Sequence, residues 1–211
     1  MPTLEPGRHP ERAVHDRDAL DALLDRGRVA HVALTTDEGP LVLPTAYVRL
    51  GDSLVVHGSP RSRWLGLLAA GASACVAVSE VTGIVVGRSA PAVSMRYASA
   101  ALFGVFTPLP DDEKAAALAA VTDRLTPGGA TRLRAPTGRD VARTMVLALP
   151  IDRWSLKVAD GWPYDAADHS ADGWAGVVPL VTTWGEPLTA PGLQPPAGVP
   201  DEIRSLVGHE A

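Results

Sequence analysis

Apolar and polar residues alternate with two periods along this chain, and each change of period marks an element. Leu20, Leu23 and Leu24 fall at i, i+3 and i+4, with Asp18 placed to cap and Gly27 to stop, which predicts a short amphipathic helix. From Val29 the period drops to two, with His31 between apolar neighbours, and Asp37-Glu38-Gly39-Pro40 supplies turn chemistry. Residues 41–50 and 54–57 read as further strands separated by Gly51-Asp52, and 61–70 as a helix with Trp64, Leu65, Leu67 and Leu68 on its apolar side. Two strands, 74–81 and 84–89, flank Thr82-Gly83, and a sixth spans 99–108. Residues 111–125 form the clearest helix. Asp111, Asp112 and Glu113 occupy its first turn and Arg124 its last, as the helix dipole favours, and Pro127-Gly128-Gly129 ends it. A helical turn over 137–143 and closing strands over 144–149 and 153–158 complete the pattern.

Strands joined by short polar turns favour hairpins over crossovers, so the chain reads as α+β: a small, mostly antiparallel barrel with peripheral helices. Residues 1–16 form an arm broken by Pro2, Pro6 and Pro10, and 17–158 form the domain. Residues 159–211 are irregular and hold three of the five tryptophans, Trp162, Trp174 and Trp184, before a proline-rich stretch over 187–200. We expect a strap packed on the surface from Trp162 to Trp184, and disorder at the end.

Composition narrows the chemistry. At 211 residues the chain fits one domain with appendages, and its net charge of −5 argues against a nucleic-acid footprint. A single cysteine excludes an internal disulfide framework and any zinc site built on several thiolates. No apolar run approaches the ~18 residues of a membrane span, and residues 1–18 lack the apolar core of a signal peptide. A soluble, cytoplasmic protein is the expectation, with demanding chemistry left to a borrowed cofactor.

The most informative stretch is His57-Gly58-Ser59-Pro60-Arg61-Ser62-Arg63-Trp64, which follows a strand and opens a helix. One reading is a phosphate cradle. Gly58 lets the backbone approach, Ser59 and Ser62 offer hydroxyls, and Arg61 or Arg63 forks onto the anion. The other is an ordinary capped turn with Ser59 as N-cap and two solvated arginines. His57 is either a ligand contact or a strand-end histidine bonded to backbone. Cys75, between Ala74 and Val76, reads as inert core. The polar run 94–99 either lines a cofactor or is a loop, and Lys157 meets an anion or solvent. Asp165, Asp168 and His169 lack a further ligand at fixed spacing, so no metal site is assigned.

Five segments occur in an order that resembles a known family. They are Leu43-Pro44-Thr45-Ala46-Tyr47, the 57–63 turn, Tyr97-x-Ser99…Phe103-Gly104 followed by the 111–114 helix start, Ser155-x-Lys157…Gly161-x-Pro163-x-Asp165, and 174–179. Together they resemble the pyridoxamine 5′-phosphate oxidase-like, FMN-binding split-barrel proteins, closest to the nitroimidazole-resistance-type branch, over roughly residues 15–190. The resemblance implies a six-stranded antiparallel split β-barrel and a homodimer holding FMN at its interface. On that basis Ser59, Ser62 and Arg63, with Gly58, hold the phosphate. Leu43, Pro44 and Thr45 line the isoalloxazine, Tyr97 and Ser99 flank it, Lys157 and Trp174 reach in from the partner, and His57 lies beside the flavin.

The implied activity is that of an FMN-dependent oxidoreductase acting on a small molecule, with no catalytic residue assigned. Val93, Arg96, Ala98 and Ala159 depart from the family pattern. They leave two alternatives: a non-catalytic flavin or heme binder, or a deazaflavin-dependent reductase on the same barrel.

Overall fold

In the computed structural model, which describes residues 9–167, 172–193 and 198–210, the changes of period become element boundaries. A 3-10 turn (Pro10–Arg12) leads to β1 (Ala13–Val14) and α1 (Arg17–Arg26), capped by the Asp16 side chain, which accepts from the Asp18 N–H. A meander follows: β2 (Val29–Thr36), β3 (Gly39–Leu50) and β4 (Ser53–Gly58), then α2 (Arg63–Ala69). The long hairpin β5 (Ser73–Val86) and β6 (Ser94–Val105) continues into β7 (Thr107–Pro108). A helical insertion of α3 (Asp111–Leu125), α4 (Gly129–Arg132) and α5 (Gly138–Ala142) precedes β8 (Met145–Pro150) and β9 (Trp154–Ala159). Beyond them lie β10 (Gly176–Pro179) and α6 (Asp201–Arg204).

The strands form one antiparallel sheet in the order β1-β9-β6-β5-β2-β3-β4-β8-β7, with β10 added on β5. Ten strands are present where the resemblance implies six: seven are long, and β1, β7 and β10 are short pieces of two to four residues, β1 and β7 at the ends of the order and β10 beside β5. The sheet curls so that β6 approaches β8 side on. A Cβ added at Gly104 would lie 2.9 Å from Leu149 Cδ1, so glycine permits that approach across the split. Leu20, Val32, Val56, Val76, Leu102, Phe106 and Leu149 fill the interior. A second core lies outside the barrel wall, where Ala117 and Val121 of α3 pack on Val48, Val55, Val146 and Ala148.

Arginines tie α1 to α3. Arg124 donates to the carbonyls of Arg26 and Gly27, both at 2.7 Å, and Arg28 donates to the Arg124 carbonyl. Each guanidinium thus satisfies carbonyls that the other helix end leaves orphaned.

Three sequence expectations change. Residues 74–81 and 84–89 are one strand rather than two, since Thr82-Gly83 makes a register shift against β6 instead of a turn. The polar run 94–99 is the first half of β6, its backbone paired to β5, so its polarity reflects an exposed face and not a loop. The end of the chain is ordered over 198–210. Trp184 bridges to Val207, donates to the His209 carbonyl and carries the Arg28 guanidinium 4.6 Å from its ring centre.

Candidate functional site

Cross-strand register decides which predicted residues meet. Facing residues in an antiparallel pair project from the same side of the sheet. Ser99 faces both Ser79 and Lys157, and Tyr97 faces Val81 and Ala159. Pro44 faces His31, which faces Ala77, which faces Ala101. Four of the predicted residues, Pro44, Tyr97, Ser99 and Lys157, therefore share the outer face of the sheet. Leu43 and Thr45 do not. They face Val32 and Ala30, both buried, and so lie on the barrel side.

That outer face is apolar and open. Val29, Val42, Val81 and Val105 are 41–58% exposed, and Ala33, Ala77 and Ala101 give the surface between them a flat floor. Cys75 stands on this floor opposite Ala33 and Phe103, so it belongs to the outer face and not to the core. Partial burial pushes its thiol pKa up, keeping it protonated and a poor nucleophile.

The turn after β4 has its own logic. The Ser62 N–H donates to the Ser59 carbonyl at 2.9 Å, and the Arg61 N–H to Ser59 Oγ at 3.2 Å. Ser62, not Ser59, is the cap residue of α2, and its hydroxyl makes no capping bond. Gly58 serves packing, for a Cβ there would sit 2.8 Å from Leu65 Cδ1. Arg63 is not merely solvated: its Nη1 donates to both carboxylate oxygens of Glu38, at 3.0 and 3.1 Å, across from the β2–β3 turn. Glu38 is thereby held below the usual carboxylate range and Arg63 above its own. Such an exposed pair contributes little to stability, so an incoming anion can replace Glu38 at small cost.

His57 points elsewhere. It follows Val55 by two on β4 and faces Val146, so its side chain lies on the α3 side of the wall. There it lines a cleft of about 370 Å³ with Leu118, Val121, Leu125 and Asp140. Its Nδ1 is buried without a hydrogen-bond partner, and burial lowers its pKa, which keeps the imidazole neutral near pH 7.

The remaining predicted residues are separate from these places. Trp174 is 62% exposed, its ring lying over Gly176 at the start of β10. Arg96, a departure from the family pattern, stacks 4.9 Å from the Trp162 ring centre and donates to the Gly161 carbonyl. Asp165 accepts from the backbone N–H groups of Arg88 and Ser89 and from the Ser89 hydroxyl, so it fastens the 87–89 turn. Asp168 and His169 lie outside the described residues, and among those described no cluster of three or more His, Cys, Asp and Glu could hold a metal. Sequence reasoning missed His31 and Ser79 on the outer face, and Glu38 beside Arg63. The alternation of β2 carried the signal for His31, since the face opposite Ala30, Val32 and Leu34 had to be the open one.

Comparison with known proteins decides the family. The family model for pyridoxamine 5′-phosphate oxidase matches residues 16–158. This chain belongs to that family. Within the family, it is similar to the FAD and heme binding protein of Mycobacterium smegmatis, at 48% identity, covering 94% of this chain and 98% of that one, with a TM-score of 0.88. It is also similar to the flavocytochrome Anf3 of Azotobacter vinelandii, at 31% identity over 95% and 94% of the two chains, with a TM-score of 0.86. A 5-nitroimidazole antibiotic resistance-type protein of Bacteroides thetaiotaomicron shares the fold at 22% identity, over 69% and 86%, with a TM-score of 0.60. No curated protein sequence matches the chain. No helix among the described residues is long and apolar enough to cross a membrane.

Proposed function

We propose that this member of the pyridoxamine 5′-phosphate oxidase family is a flavin- and heme-binding oxidoreductase acting on a small molecule. The observation that carries the reading is the end-to-end similarity, at 48% identity, to a protein named for binding FAD and heme. FMN and FAD share the phosphate that the 59–63 turn would hold, and that name favours FAD over the FMN expected from sequence.

The residues of this chain suit the two groups. Ser59, Ser62 and Arg63 would bind the flavin phosphate once Arg63 exchanges Glu38 for it. Pro44, His31, Ser99, Tyr97 and Lys157 would border the ring on the open sheet face. A second copy of the chain docked on that face would bury its exposed valines and exclude water from the flavin. Bound flavin supplies hydride and single-electron transfer, and heme supplies single-electron transfer. The protein contributes binding, orientation and a dry surface. A non-catalytic carrier remains the second reading, favoured by the lack of an unpaired carboxylate or lysine in the His57 cleft.

Purified protein loaded with flavin and hemin is expected to show a flavin band near ~450 nm and a Soret band near ~400 nm. Protein that retains neither group overturns the proposal. Arg63→Ala is expected to weaken flavin binding about tenfold or more, through loss of a charge-assisted contact to the phosphate. Fluorescence titration of the flavin measures it. Glu38→Gln should bind at least as tightly as the natural chain, and an Arg63→Ala affinity equal to the natural one removes the phosphate assignment.

A further inference from the structure

We infer that His57 is the axial ligand of the heme iron, in the cleft between β4 and α3. The inference rests on the heme half of the function proposed above, and extends it by placing heme on the side of the barrel wall opposite the core, under the helical insertion.

Four observations carry it. First, His57 is half-buried with Nδ1 unpartnered, a position that costs stability without any structural return. With Nδ1 walled off, Nε2 is the ring nitrogen that can reach an occupant of the cleft. Second, three of the four other polar side chains that line the cleft, those of Thr122, Asp140 and Thr144, already hold hydrogen bonds. Thr122 Oγ1 donates to the Leu118 carbonyl and Thr144 Oγ1 to the Asp140 carbonyl, both at 2.8 Å. The Asp140 carboxylate accepts from Thr137 and from Arg134. Third, what these bonds leave facing the cleft is largely apolar: Leu118, Val121 and Leu125 follow one another along one stripe of α3. Leu125 is 44% exposed at the end of that stripe, uncovered apolar surface that a planar macrocycle would bury. Fourth, the other described histidines are placed less well: His15 and His209 are exposed and line no part of the cleft. His9 is bonded to Glu11 at 2.8 Å, and His31 stands on the open sheet, on the face assigned to the flavin.

An apolar slot with one unengaged imidazole suits a b-type heme better than it suits a polar substrate.

The test is hemin titration of the full-length protein, followed by absorbance and electron paramagnetic resonance. The natural chain is expected to bind one hemin per chain with a histidine-ligated spectrum. His57→Ala is expected to lose roughly a hundredfold or more in hemin affinity, and added imidazole should restore the histidine-type spectrum. Flavin binding serves as the fold control. Leu125→Trp, at a position exposed enough to tolerate the ring, should fill the cleft and weaken hemin binding while His57 stays in place. His31→Ala should leave the heme spectrum unchanged. A natural chain that binds no hemin refutes the heme reading itself. A natural chain that binds hemin while His57→Ala keeps its spectrum and affinity refutes only the ligand assignment. Loss of the heme signal in His31→Ala instead moves the heme to the outer face and refutes it equally.

Discussion

On the proposed pairing of two copies through the outer face, Ala101→Arg is expected to turn the dimer into monomers and to release flavin from both copies. Ala101 sits in the middle of the outer face, between Ala77 on β5 and Ser155 on β9, one residue pair from Ser99 and Lys157. Its side chain is small, and its neighbours across β5 are Ala77 and then His31. A guanidinium there would be buried against the partner's apolar floor without a carboxylate to answer it, and the two-fold would supply a second one. An uncompensated buried charge costs about 3–5 kcal/mol, about two to three and a half decades in the dimer constant. The barrel interior is untouched, because Ala101 faces away from it while its neighbours Ala100 and Leu102 fill it. Sedimentation should therefore report a folded monomer, and its visible spectrum should lack the flavin band. A folded dimer of unchanged mass would show that copies do not meet on this face.

The fold was largely legible because the apolar pattern is strict where the barrel is closed. Ala30, Val32 and Leu34 alternate with exposed residues, and that alone places β2 and its partners. Legibility failed where backbone pairing overrode local chemistry. Thr82-Gly83 has the composition of a turn, yet the long partner strand β6 carries β5 through it with a register shift. The tail escapes local reading for a similar reason: its prolines suggest disorder, but Trp184 and Arg28, distant in sequence, give residues 198–210 something to fold against.

The candidate site was legible as a set of residues and illegible as a geometry. Leu43-Pro44-Thr45 reads as one motif, but strand alternation sends Pro44 to one face and its two neighbours to the other. His57 and Arg63 read as one turn, yet the last step of β4 puts the imidazole under α3 while the guanidinium meets Glu38. No local spacing encodes that division. It depends on which side of the wall the 111–142 insertion covers, and therefore on the order of strands β4 and β8.

Phe106→Ala separates the stability of this barrel from the properties of its cofactors. Phe106 is 1% exposed and lies between the end of β6 and β7, where the sheet must turn across the split toward β8. Its ring is among the largest fully buried side chains of the main core, packed in one cluster with Leu68, Leu102 and Leu149. Truncation removes the ring's transfer free energy and leaves a cavity, because strands fixed by their ladders cannot collapse into it. The expected loss is about 3–5 kcal/mol, which in a chain of this size lowers the melting temperature by roughly 6–20 °C. Leu188→Ala is the matched control: Leu188 is 96% exposed, so its removal should stay within about 0.5 kcal/mol. Because Phe106 touches neither the outer face nor the His57 cleft, Phe106→Ala protein held well below its melting temperature should bind flavin and hemin as the natural chain does. Weakened cofactor binding in protein that remains folded would mean that the split between β6 and β8, and not the surfaces on either side of the wall, sets the geometry of both sites.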